Sequence, residues 1–159
     1  MTQELTELAA AIGEEISLGQ DLLDNLSAQR KAILGWRIST LIERIESREA
    51  LLGSLGAVEE RRQRIASRLS GEETKLSLKD ILDRASSAEQ TAELSRLREE
   101  ARQTYTRIQA EEKSLLALME NLLAHIREAL SPLALPEVRL YGEQRGDSRP
   151  SSGLIEGKI

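Results

Sequence analysis

From Ser87 to Leu130 the chain contains no glycine and no proline. Its apolar residues recur at steps of three, four and seven: Leu94, Leu97, Ala101, Tyr105, Ile108, Leu115, Met119, Leu122, Ile126 and Leu130. That is the repeat of a helix showing one face to a partner. Ala, Leu, Glu, Arg and Gln dominate the stretch, all strong helix formers. Ser87 with Gln90 makes a capping-box pattern at its start, and Pro132 follows its end. At about 1.5 Å per residue the helix is roughly 65 Å long, more than a compact globular domain needs. Such a stripe has to be covered by other helices. The expected fold is therefore all-α: an elongated antiparallel helical coiled coil or bundle of three long helices plus one short helix, with a flexible C-terminal tail.

The other helices are legible by the same spacing. Residues 3–34 carry Leu5, Leu8, Ile12, Ile16, Leu22, Leu23, Leu26, Ile33 and Leu34, with Thr2 as a cap. Gly13 and Gly19 lie inside this segment, each costing on the order of 1 kcal/mol against Ala. Either the surface tolerates them or a neighbouring helix comes close. Around Gly35-Trp36-Arg37-Ile38-Ser39 the phase changes, with Gly35 as a stop and Ser39 as a new start, or with a kink in one continuous helix. A Trp at such a junction is expected to pack over the end of the bundle. The second long helix, Ile38 to Leu69, carries Leu41, Ile42, Ile45, Leu52, Leu55, Val58, Ile65 and Leu69, and Gly71 ends it. A short helix capped by Ser77 follows through Leu82. Residues 1–130 are thus a helical domain. From Ser131 to Ile159 the chain holds all three prolines and four of its ten glycines, its charges cancel, and no helical period survives. Such a segment reads as a flexible tail.

Composition removes several functions. The formal charge of −5 and the lack of a Lys/Arg run argue against nucleic acid or an anionic membrane as partner. There is no cysteine, hence neither disulfides nor thiolate chemistry. No stretch approaches the roughly 20 apolar residues of a membrane span. Met1-Thr2-Gln3-Glu4 lacks a signal-peptide pattern, so a cytoplasmic protein is expected. His125 is the only histidine and lies beside the apolar stripe. No Glu-x-x-His pair, phosphate-cradling loop or hydroxyl nucleophile with its base is present, so no catalysis, metal or other cofactor is expected.

Two features point to binding. Leu115, Leu118, Met119, Leu122, Leu123, Ile126 and Leu130 exceed the apolar share of a two-stranded seam. They fit a helix flanked by two neighbours, or a groove for a partner's amphipathic helix. In the tail, Val138, Leu140 and Tyr141 form a short apolar motif, and Tyr is a typical interface anchor.

Three stretches together are similar to a known family. Gln29-Arg30-Lys31-Ala32-Ile33-Leu34-Gly35 passes into Leu41-Ile42-Glu43-Arg44-Ile45-Glu46-Ser47-Arg48-Glu49-Ala50-Leu51-Leu52. Leu76-Ser77-Leu78-Lys79-Asp80-Ile81-Leu82 precedes the long last helix, and Leu140-Tyr141-Gly142 is followed by Ser152-Gly153-Leu154-Ile155-Glu156-Gly157-Lys158. In this order they resemble the FlgN family of flagellar export chaperones, over nearly the whole chain. Trp36-Arg37 and Glu112-Lys113 depart from the family's usual residues. The resemblance implies a cytosolic chaperone of flagellar type III export. It would hold the C-terminal helical segments of hook-associated junction proteins. It would deliver them to the cytosolic domain of the export-gate membrane protein, with Tyr141 in the docking tail, as a monomer or homodimer. The alternative is a coiled-coil adaptor with no secretion role.

Overall fold

The computed structural model describes residues 2–70 and 88–133, and among these every residue outside the turn at 35–37 is helical. Three long helices occur: α1 (Thr2–Leu34), α2 (Ile38–Ser70) and α3 (Ala88–Leu130), followed by a 3₁₀ turn, Ser131–Leu133. The all-α expectation holds, and the three long helices begin and end within a residue of their expected limits. The short helix expected at Ser77–Leu82 and the tail from residue 134 onward lie outside the described residues.

Between α1 and α2 the chain reverses instead of kinking. The Arg37 N–H donates to the Ala32 carbonyl at 2.9 Å and the Trp36 N–H to the Ile33 carbonyl at 3.1 Å. These paired bonds form a Schellman closure, whose left-handed position is usually glycine. Here Trp36 occupies it, at φ 54°. Gly35 was expected to be the stop, yet it sits one residue too early for that role. An L-residue in this conformation costs roughly 1–2 kcal/mol. The Arg37 carbonyl then accepts the first bond of α2, from the Leu41 N–H at 3.0 Å. The second helix therefore starts before Ser39, which lies inside its first turn.

The chain divides into two compact units, Met1–Ala117 and Leu118–Ile159, so the division falls inside α3, whereas composition alone places it after Leu130. In the first unit cross-helix pairs fix the directions. Glu7 meets Arg68 at 3.4 Å and Glu15 meets Arg62 at 2.9 Å. Asn25 Nδ2 donates to the Arg44 carbonyl at 3.0 Å. Rising numbers on α1 meet falling numbers on α2, so the two are antiparallel. Along α3 the contacts with α1 run from Glu15–Tyr105 to Arg30–Ser114, so these two are parallel. The core is aliphatic: Leu5, Leu8, Ile12 and Ile16 of α1 cluster with Ile65 and Ala66 of α2 and with Leu94 and Leu97 of α3. Each Leu or Ile side chain withdrawn from water there contributes about 1.5–3 kcal/mol.

The glycines of α1 separate. A Cβ at Gly13 meets nothing within 4 Å, whereas one at Gly19 falls 2.7 Å from Thr104 Cγ2. Gly19 is thus a point where α3 crowds α1, and Gly13 is simply tolerated.

Candidate partner-binding surface

Polar groups buried inside the first unit set the register that places the exposed surfaces. Glu15 is 4% exposed. Its carboxylate accepts a hydrogen bond from the Tyr105 hydroxyl and lies 2.9 Å from Arg62 Nε, close enough for an ion pair although that N–H is not aimed at an acceptor. Burial first, and then the bond to Glu15 and its charge, push the Tyr105 hydroxyl well above its usual pKa. Gln29 Nε2 donates to Asn25 Oδ1 at 2.8 Å. A small recess of about 180 Å³ opens beside Ile12, Glu15, Arg62 and Tyr105. Glu15 has both Arg62 and Tyr105 beside it, and no nucleophile with a base stands in the recess. The arrangement pins three helices against sliding, as buried polar groups do in coiled coils. Among the described residues no group of three or more His, Asp or Glu side chains is placed to hold a metal ion.

Further along α3, Arg30 Nη2 donates to Glu111 Oε2 at 3.0 Å and to Ser114 Oγ at 2.7 Å. Arg48 Nη2 meets Glu112 Oε1 at 2.5 Å. These ties hold α3 to both other helices. Within this unit Leu115 is 3% exposed, so its side chain is spent on the interior; counting it among groove residues needs correction.

The second unit begins at Leu118, and there the pattern changes. Leu118, Met119, Leu122 and Ile126, on the stripe expected from sequence, are half-buried. Leu123 at 51% and Leu130 at 55%, seven residues apart on one line, stand in solvent, as does Leu133 at 73%. His125 is exposed and has no metal-binding group around it. Chemically this is an aliphatic helix face without charge reversal or catalytic groups, suited to receive another apolar helix face. Val138, Leu140 and Tyr141 lie outside the described residues.

Other exposed apolar residues went unnoticed in the sequence. Trp36, expected to cap the bundle, is 64% exposed beside Leu34 at 65%. It sits at the left-handed position of the turn between α1 and α2. On α2, Ile42, Ile45 and Leu52, all on the expected stripe, are 37–52% exposed, and Ile38 at the start of the helix is 56% exposed. The signal was present, because Leu41, Leu55 and Val58 trace a second line offset around the same helix. Two apolar lines on one helix mean that one of them faces away from its neighbours. No helix among the described residues is long and apolar enough to cross a membrane. No protein-family model matches the chain, and no curated protein or solved structure matches it either.

Proposed function

We propose that this chain is a cytosolic chaperone of flagellar type III export, of the FlgN kind. It holds the C-terminal helical segments of hook-associated junction proteins and delivers them to the export gate. The observation that carries this reading is the aliphatic face at the end of α3, where Leu123 and Leu130 are about half exposed. A client that must not assemble early has an amphipathic helix to hide. Binding that helix needs apolar area and mass action, not a cofactor or catalytic group. The coiled-coil packing of the long helices, the short helix at 77–82 and a docking tail bearing Val138, Leu140 and Tyr141 belong to the same proposal. So do its cytoplasmic location and its lack of enzymatic activity.

The test is binding of a junction protein's C-terminal fragment to the intact chain and to Leu123→Asp/Leu130→Asp. Both substituted side chains are solvent-exposed, so helicity should be kept while affinity falls by about tenfold or more. Full affinity in this variant removes the α3 end as the client site. Tyr141→Ala should leave client binding unchanged and weaken docking to the gate domain.

A further inference from the structure

We propose that the outer face of α2 is a docking seam for an amphipathic helix with a basic flank. It lies within the first unit and does not depend on the α3 end. Ile38, Ile42, Ile45 and Leu52 are 56, 52, 37 and 44% exposed. Their steps of four, three and seven keep them on one line, and Ile38, Ile45 and Leu52 recur at the heptad. The helix already spends a different line on the interior, with Leu51 and Leu55 half-buried and Val58 and Ile65 buried. Four large aliphatic side chains share one line over four turns, interrupted once by Glu49, unlike singly scattered apolar residues.

Charge decides what covers this line. Exposed Glu43, Glu46 and Glu49 border or interrupt it, and no ion pair engages them among the described residues. By contrast, Glu7, Glu14, Glu15, Glu111 and Glu112 each meet an arginine. Of the nearby bases, Arg48 pairs with Glu112, and Arg44 lies toward α1, lining a recess with Asp21 and Asp24. The seam is therefore edged with unbalanced negative charge. A second copy laid on this seam would bring its own Glu43, Glu46 and Glu49 to the same edges and add to the negative charge there, which is unfavourable. A helix carrying Lys or Arg beside its apolar stripe neutralises them.

Two glycines extend the line. Gly56 follows Leu52 by one turn, Gly53 lies beside it, and a Cβ at either meets nothing within 4 Å. Each lowers helix stability by on the order of 1 kcal/mol against Ala. Gly19 shows the use of a helix glycine in this fold, with a neighbouring side chain 2.7 Å from the Cβ position. On α2 the same space is open at the end of an apolar line, where a docked helix approaches closest. Gly13 is open too, but it adjoins no exposed stripe.

The probe is a synthetic three-heptad peptide with Leu at the core positions, Lys at the flanks and an N-terminal fluorophore. A second peptide carries Glu at the flanks. Anisotropy titrations use the full chain at physiological salt. The Lys peptide should bind saturably and about tenfold tighter than the Glu peptide. Ile45→Asp should weaken it by about tenfold or more. That variant adds negative charge, so mere attraction between a basic peptide and an acidic protein would strengthen instead. Glu46→Lys/Glu49→Lys should reverse the preference between the peptides. Gly56→Leu should weaken binding with the far-ultraviolet circular dichroism unchanged, and Leu123→Asp should have no effect. Equal binding of both peptides, absence of saturable binding, or loss in Leu123→Asp rather than Ile45→Asp overturns the proposal. So does a sedimenting dimer that Ile45→Asp dissociates, which would assign the face to a second copy.

Discussion

Gly13 and Gly19 lie in the same helix, and replacing each by Ala should move stability in opposite directions. At Gly13 the new methyl enters open space. The substitution should stabilise by about 0.5–1 kcal/mol, through helix propensity and a less disordered unfolded chain. At Gly19 the same gain is opposed by Thr104 Cγ2, 2.7 Å from the new methyl, where ordinary contact begins at 3.4 Å. Thr104 is 4% exposed, and its β-branched side chain is stiff in a helix. Its hydroxyl also accepts from Gln20 Nε2 at 3.4 Å. Overpacking of this kind costs about 1–3 kcal/mol. Gly19→Ala should therefore be neutral to destabilising, by up to about 2 kcal/mol. Thr104→Ser removes the offending methyl and keeps the hydroxyl. In the double variant the clash disappears, leaving a coupling of about 1–2 kcal/mol between the two sites. Urea unfolding followed by circular dichroism measures all four proteins. Equal stabilisation by both glycine substitutions, with no coupling to Thr104, would refute the close approach of α3 to α1.

Three further outcomes follow from other parts of the fold. Trp36 is the sole tryptophan and is largely exposed, so iodide should quench it almost as well in the folded as in the unfolded chain. Trp36→Gly should relieve the left-handed strain and stabilise by about 0.5–1 kcal/mol; a loss of stability would show that the indole packs on the chain. Tyr105 has its hydroxyl pKa raised by burial and by Glu15. The unfolded chain therefore loses that proton first, near its usual value of about 10, and stability falls as pH rises beyond it. The difference between wild type and Tyr105→Phe should be about 0.5–1.5 kcal/mol at neutral pH and shrink through pH 10–12. A difference that stays constant across that range would refute the Tyr105–Glu15 link.

The resemblance and the chemistry it implies came from motifs, and part of that set, Val138, Leu140 and Tyr141, falls outside the described residues. On the α3 end, Leu123 and Leu130 are placed where a partner can reach them and Leu115 is not. All seven side chains are apolar and at helical spacing. Which of them a neighbour covers depends on where that neighbour ends, and spacing along one helix carries no such information.

Helix identity and extent were fixed locally. The runs without Gly or Pro, the three-four apolar steps and the breakers near residue 35 and after Leu130 act through hydrogen bonds and sterics within a few residues, so α1, α2 and α3 could be read directly. Only tertiary structure decided which of two apolar lines on α2 turned outward and that Gly19 rather than Gly13 receives a neighbour. Those outcomes depend on long-range packing. Cross-helix pairs such as Glu15 with Arg62 and Tyr105 set the rotation of each helix about its axis, and that rotation determines which side chains meet water.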